Sequence, residues 1–435
     1  MIIDRHPFTV NSHGHLEIGG VDAISLANDF GTPLYVYDVS LIRKNARSFV
    51  DAFEELGVKA KVAYASKAFS SIAMLQVIQQ EGLCLDVVSE GELYTAIEAG
   101  FPSERIHMHG NNKSRQELQM AIEQNIGCIV LDNFYEIELL GELLDHQNKE
   151  MDVLMRVTPG VNSKTHQYIM TGNEDSKFGF NLKNGQADEA FQLLKKYPSI
   201  RFKGLHCHIG SQIFETDRFL SATEILFAEL SKWKRNENYT PEVLNLGGGF
   251  GIRYTSEEEP IPYEQYVYAL VEEVRKQSEE MDIPLPEIWM EPGRAIVGNA
   301  GVTLYTIGST KSIPGIREYI SVDGGMTDNL RPALYGAKYE AVIANKADQT
   351  PIKEVSVAGK CCESGDMLIW DLPVPEVQTN DVLAVFSTGA YGYSMASHYN
   401  RFAKPAVVFV ENKEAKLVVK RESYQDVVKN DLSYL

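Results

Sequence analysis

Four short segments carry the residues whose types and spacing could do chemistry. They are Tyr64-Ala65-Ser66-Lys67-Ala68, His206-Cys207-His208-Ile209-Gly210-Ser211-Gln212, Gly247-Gly248-Gly249-Phe250-Gly251 and Glu291-Pro292-Gly293-Arg294. Lys67 follows a run that reads as a buried strand, and lysine is seldom buried without a partner. Desolvation lowers the pKa of an ammonium and leaves an amine able to form a Schiff base. A lysine whose head simply reaches water fits the same sequence. His206 and His208 stand two residues apart, on one face of a strand. They read as metal ligands, as a ring to stack on a flat cofactor, or as core histidines, and their own segment offers no carboxylate to complete a metal site. The Gly247–Gly251 run lets successive backbone N–H groups point into one concavity, an anion nest; a tight turn is the plainer alternative. Glu291 suits a cationic ring nitrogen and Arg294 a phosphate or carboxylate, although a surface ion pair would look alike.

Something must bring these segments together. Between about residues 60 and 295, β-rich runs alternate with helical patterns. The runs are Lys61–Ala65, Cys84–Val88, Arg105–His109, Cys128–Asp132, Asp152–Val157, Phe202–His208, Glu242–Leu246 and Glu287–Glu291. Helical stretches such as Ser71–Glu81, Gly91–Ala99 and Arg115–Gln124 lie between them. The alternation predicts a parallel sheet, and eight units predict a closed (β/α)8 barrel of the TIM type. An open doubly wound sheet would be signalled by a Gly-rich turn after the first strand, where this chain has Ser66-Lys67-Ala68. In a barrel, catalytic groups sit past the C-terminal ends of the strands and phosphate often binds after strands seven and eight. The four segments follow strands one, six, seven and eight. One amine, one flat ring, an anion nest and a carboxylate at one barrel mouth make up the inventory of a pyridoxal phosphate site.

Beyond about residue 296 the pattern changes to alternating β segments, including a hairpin about the turn Glu411–Ala415. This predicts a C-terminal antiparallel β domain. The β-like N-terminal piece around Gly14, Gly19 and Gly20 is expected to join it. The expected division is a barrel over 33–296 and a β domain made of 1–32 and 297–435. The Thr158–Phe180 stretch is too polar and irregular for a helix, and loops of that length are often functional.

Composition narrows the class. The chain has 435 residues, 44% apolar and 23% charged, with a net charge of -19. An acidic surface argues against nucleic acid and anionic membrane as partners. The N-terminus lacks a signal-peptide pattern, and no apolar run approaches the roughly 20 residues of a membrane span. Five scattered cysteines are no disulfide framework. A reduced, cytoplasmic protein is expected.

Taken together, Tyr64–Ala68, His206–Gln212, Gly247–Gly251 and Glu291–Arg294 resemble the fold-type III pyridoxal phosphate decarboxylases. These pair an alanine-racemase-like barrel with a β domain and include ornithine, arginine and diaminopimelate decarboxylases. His109–Lys113, Asp323-Gly324-Gly325, Cys362-Glu363-Ser364-Gly365-Asp366 and Gly389-Ala390-Tyr391-Gly392 extend the likeness along nearly the whole chain. Thr165–Gly172 with Ser176–Gly179, Asp328–Tyr335, and the Glu after Cys362 resemble the diaminopimelate branch. Lys360 departs from the proline that many relatives carry there, leaving the Cys-Glu pair intact.

The resemblance implies decarboxylation of meso-2,6-diaminopimelate to L-lysine and CO2, the last step of lysine biosynthesis. It implies that Lys67 holds the cofactor as a Schiff base, that Glu291 keeps the ring nitrogen protonated and that His208 stacks on the ring. Gly247, Gly248, Gly249, Pro292, Gly293 and Arg294, with Ser211 and Tyr391, would hold the phosphate. Asp86 and Ser89 would line the pocket or serve the structure. Cys362 would return the proton to Cα. Glu363 would take the distal ammonium of the substrate, and Arg294, Arg331, Tyr335 and Tyr391 the rest of its distal end. The Cys-Glu segment and Tyr391 would come from the partner subunit of a homodimer. An ornithine or arginine decarboxylase is the nearest alternative. A racemase on the same barrel, or a non-catalytic relative, stands further off.

Overall fold

The eight β-rich runs are eight parallel strands: β1 Ala60–Ala65, β2 Cys84–Val87, β3 Ile106–Met108, β4 Cys128–Leu131, β5 Met151–Thr158, β6 Ile200–His206, β7 Val243–Asn245 and β8 Glu287–Met290. Each pairs with the next, and β8 pairs back onto β1 through Ile288↔Ala60, Trp289↔Lys61 and Met290↔Val62, so the ring closes. Every residue of β2, β3 and β4 is buried, as expected where one face fills the barrel and the other meets helices. This computed structural model describes residues 2–160 and 175–435. The chain forms two units, Asn45–Gly251 with Pro260–Ala295, which holds the barrel, and Met1–Lys44 with Ile252–Glu259 and Ile296–Leu435. The Thr165–Gly172 segment of the sequence reading lies outside the described residues.

Local chemistry explains why strand ends and helix starts recur so regularly. The helices Ile72–Gln80, Glu90–Glu98, Arg115–Glu123 and Phe134–Gln147 begin at Ser71, Ser89, Ser114 and Asn133. Each of those side chains accepts a bond from the backbone N–H three residues on, at 3.0–3.2 Å. These caps satisfy donors that a helix start leaves open. Past the same helices stand Gly82, Gly100, Asn125 and Asn148, all at positive φ between 50° and 78°, the conformation that stops a helix and that Gly and Asn tolerate. The chain is thus turned back into the next strand, and all the C-terminal strand ends fall on one rim.

A buried ion pair ties two of those ends together. Lys113, just past β3, donates to Glu136 Oε2 at 3.0 Å, to Gly110 O at 2.7 Å and to Val130 O at 2.6 Å. Glu136 also accepts from the backbone N–H of Lys113 and of Asp132, each at 3.0 Å. Both side chains are almost fully buried, at 2% and 0% exposed, and both have their polar atoms satisfied.

The second unit is built on a nine-stranded sheet around the long strand Gly301–Ile313, which pairs antiparallel with Arg317–Val322, Val382–Val385 and Leu34–Asp38. Leu34–Asp38, inside the segment expected for the barrel, is hydrogen-bonded here. The sheet is mixed where the sequence reading expects antiparallel pairing. Ala406–Glu411 runs parallel to Leu34–Asp38, and Arg317–Val322 parallel to Lys353–Ala358. Neither parallel pair is joined by a short turn, so nothing local fixes its direction. The expected hairpin is present: Glu411 pairs with Glu414 across Asn412 and Lys413, both at positive φ, the signature of a two-residue turn. Short N-terminal strands Thr9–Val10, Leu16–Ile18 and Val21–Asp22 form a small separate sheet within the same unit. Among the described residues, no helix is long and apolar enough to cross a membrane.

The Lys113–Glu136 pair makes a stability prediction. Lys113→Met leaves a buried carboxylate uncompensated and should cost about 3–5 kcal/mol, read as a lower urea midpoint of the barrel. The double variant Lys113→Met/Glu136→Leu should recover most of that loss.

Candidate active site

A cavity of about 380 Å³ opens at the C-terminal rim of the barrel. Its wall includes Lys67, Asp86, His109, Arg156, His206, His208 and Glu291. Lys67 stands in a single tight turn, Ser66–Ala68, directly after β1. That turn is held from two sides. Tyr64 donates its hydroxyl to Phe69 O at 2.8 Å, and the N–H of Ala65 donates to Pro292 O at 3.2 Å. Gly293 packs closely against it: a Cβ there would lie 3.0 Å from Ala65 Cβ and 3.3 Å from Ala68 Cβ.

Glu291, one residue past β8, is 6% exposed and sits among donors. His206 Nε2 lies 3.1 Å from Oε2, His109 Nε2 lies 3.1 Å from Oε1, and Asn245 Nδ2 donates to Oε1 at 2.6 Å. Burial alone would raise its pKa, but His109 and then His206 hold it well below the ordinary carboxylate range. His109 is pushed the other way. Burial opposes its charge, yet Asp86, with Oδ1 3.8 Å away, and Glu291 raise its pKa above the usual histidine value. Burial takes His206 down to about 4, so it is neutral at pH 7. An ionised carboxylate only accepts, so His206 must donate through Nε2. The result is an anion at the floor of the cavity, with Asp86 and His109 behind it. Burial, followed by the nearby charges of Lys67 and Arg156, holds His208 well below the ordinary range, so it too is neutral.

Asn245 connects this carboxylate to the glycine run: its Oδ1 accepts from Gly247 N–H at 2.9 Å. The run has no room for side chains. A Cβ at Gly247 would meet Cys207 O at 2.3 Å, at Gly248 would meet Glu291 O at 2.1 Å, and at Gly249 would meet Gly210 O at 2.4 Å. Gly247 and Gly249 also have φ of 69° and 111°, which side chains disfavour. Gly248 N–H donates to His208 Nδ1 at 3.2 Å, which orients that ring on the cavity wall. Arg294 Nη2 donates to Ser211 Oγ at 3.0 Å, placing the remaining cation of the barrel segments beside the serine of the His206–Gln212 segment.

The barrel therefore brings Lys67, His208 and Glu291 to one cavity, with the glycine run and the Arg294–Ser211 pair tied to it through direct hydrogen bonds or chain neighbours. The remaining residues predicted for the substrate and for proton return lie in the second unit. Arg331 is 8% exposed, with its guanidinium 4.9 Å from the Tyr254 ring centre and Nη1 donating to Tyr339 Oη. Tyr335 ends the short helix Arg331–Tyr335. Tyr391 takes a φ of 62°. Cys362 and Glu363 are exposed, with Cys362 N–H donating to Asn400 Oδ1 at 2.7 Å and Glu363 Oε1 accepting from Gly365 N–H at 3.1 Å.

Sequence reasoning missed His109, Asn245 and Arg156 as parts of this cluster. Each is a polar residue in or just past a barrel strand, the signal that picked out His206 and Glu291. Only their separation in sequence hid the contact, which spans 46 residues for Asn245 and Glu291.

The cavity fits pyridoxal phosphate. An ionised buried carboxylate matches a cationic ring nitrogen, and a cradle without Cβ atoms matches a phosphate. Asp86 Oδ1 is buried without a hydrogen-bond partner among the described residues, so the floor has unspent acceptor capacity. Comparison with known proteins agrees. Residues 39–298 match the family described as pyridoxal-dependent decarboxylase, pyridoxal binding domain. The diaminopimelate decarboxylase of Bacillus subtilis is 61% identical over 98% of this chain and 97% of its own length. That of Bacillus methanolicus is 61% identical over 95% and 96%. Among solved structures, the diaminopimelate decarboxylase of M. jannaschii in complex with L-lysine superposes with a TM-score of 0.92 at 33% identity, covering 100% of this chain and 99% of that one. With that identity carried along almost its full length, the chain belongs to the diaminopimelate decarboxylase family of pyridoxal-dependent decarboxylases.

Proposed function

We propose that this chain decarboxylates meso-2,6-diaminopimelate to L-lysine and CO2, the last step of lysine biosynthesis. The observation that carries the reading is the buried, ionised Glu291 on the floor of the cavity that Lys67 enters. Lys67 would hold the cofactor through its amine, Glu291 would face the ring nitrogen, and His208 would lie against the ring. Gly247, Gly248, Gly249, Pro292, Gly293 and Arg294, with Ser211 and Tyr391, would hold the phosphate. When bound, pyridoxal phosphate supplies a protonated ring that draws electrons from Cα as the carboxylate leaves.

The protein's own groups do the rest. Glu291 stays ionised because His109 and His206 stabilise it, so a positive charge on the ring nitrogen is favoured. Cys362 supplies the proton that replaces CO2 on Cα, acting as a general acid. Glu363 recognises the distal ammonium, and Arg294 and Arg331, with Tyr335 and Tyr391, the distal carboxylate. A substrate lacking that carboxylate would leave the arginines poorly matched, at a cost of roughly 1–3 kcal/mol. Substitution of ornithine or arginine is disfavoured on that ground.

A division of labour between the barrel unit, Asn45–Gly251 with Pro260–Ala295, and the β domain is part of the same reading. Cys362, Glu363 and Tyr391 act from the β domain of one subunit on the barrel of the other, so the working form is a homodimer. Five free cysteines support a reducing, cytoplasmic setting.

Three measurements test this. The purified chain with pyridoxal phosphate should release CO2 and L-lysine from meso-diaminopimelate and neither CO2 nor amine from ornithine or arginine. CO2 mainly from either of those would overturn the substrate assignment. Gly248→Ala, whose Cβ would strike Glu291 O, should lose cofactor affinity in an absorbance titration while leaving the far-ultraviolet circular dichroism unchanged. Lys67→Ala and Cys362→Ala should each be inactive alone, yet unfolding and refolding them together should restore roughly a quarter of normal activity if the site is shared across a two-fold dimer. No recovery would mean that each subunit supplies its own Cys362.

A further inference from the structure

His206 attracts attention in the sequence as a metal-ligand type without a carboxylate beside it, and the fold supplies what the segment lacks. Nε2 of His109, Nε2 of His206 and a carboxylate oxygen of Glu291 lie within 4.8 Å of one another, all buried. Both imidazole-to-carboxylate contacts are 3.1 Å. His109 meets Oε1 of Glu291 and His206 meets Oε2; ligands about 2.0–2.2 Å from a tetrahedral Zn2+ stand roughly 3.3 Å apart, so each imidazole already lies at ligand spacing from the carboxylate. The independent observation is Asp86. It is 3% exposed, its Oδ1 has no hydrogen-bond partner among the described residues, and that atom lies 3.8 Å from His109 Nε2.

We propose that in the chain free of cofactor His109, His206 and Glu291 form a Zn2+ site, that Asp86 moves in from beside His109 to complete it, and that the ion and pyridoxal phosphate exclude one another. Charge favours it. Two carboxylates share this buried floor, and a divalent cation bound between them offsets the charge of both. Ligand chemistry favours Zn2+ over Mg2+ or Ca2+, since imidazole nitrogens suit the softer ion. The cavity of about 380 Å³ that these residues line gives the ion a way in. Exclusion follows because the ion uses the Glu291 carboxylate; only this clause rests on the cofactor reading above.

The test is titration of the full-length chain, stripped of cofactor, with Zn2+ by calorimetry and with Co2+ by visible absorption. One ion per chain is expected, with the intense d–d bands of four-coordinate Co2+. His109→Gln and His206→Gln should each weaken binding at least about a hundredfold, and Asp86→Asn at least about tenfold. Chain already loaded with pyridoxal phosphate should take up no ion at this site, a readout that needs no variant. No binding, or binding that survives both histidine substitutions, overturns the site. Binding in chain that also carries the cofactor overturns the exclusion. If Co2+ binds and is lost in both variants while pyridoxal phosphate itself fails to bind, the site stands and the cofactor assignment falls.

Discussion

The barrel rim is organised around one buried charge. A carboxylate at the position of Glu291 would ordinarily take up a proton rather than stay ionised out of water. It stays ionised because three side chains from three different strands converge on it: His109 from β3, His206 from β6 and Asn245 from β7. That convergence depends on the closed ring, since strands three, six, seven and eight approach one point only in a barrel. Asp86, from β2, stands behind His109 and, with Glu291, raises that imidazole's pKa against its burial. Loss of closure would leave an unstable anion, so the fold and the electrostatics of the site support each other.

Much of this was legible in the sequence, for identifiable reasons. Parallel strands buried on both faces read as short apolar runs, and the helical stretches expected at Ser71–Glu81, Gly91–Ala99 and Arg115–Gln124 begin within a residue of the helices Ile72–Gln80, Glu90–Glu98 and Arg115–Glu123. The glycine run was legible because Gly247–Gly249 have no other economical use for such backbone freedom. What could not be read was which distant side chains meet. His109 and Asn245 are ordinary strand-end residues until the ring closes and sets them against Glu291. The sheet of the second unit was only partly legible for the same reason. Its antiparallel hairpins announce themselves through turns such as Asn412–Lys413. The strand Met367–Val374 was missed because Trp370, Asp371 and Pro373 break its alternation, with Asp371 at a φ of 53°.

The second unit handles charge differently. Arg331 is buried against aromatic rings, with Tyr254 and Tyr339 beside its guanidinium. Weakly hydrated and planar, a guanidinium can be stacked in this way without an acid partner. The barrel instead pairs charge internally, as in Lys113–Glu136, where every polar atom is spent on the scaffold.

Asn245 holds both ends of the site with one amide: its nitrogen grips the Glu291 carboxylate and its oxygen grips the Gly247 backbone. It therefore acts as a ruler of fixed length between the two regions. No change at one end can be made without moving the mark at the other. Over evolutionary time, Asn245, Gly247 and Glu291 should drift as a single unit, and a library that randomises one of them while freezing the others would sample almost nothing that works.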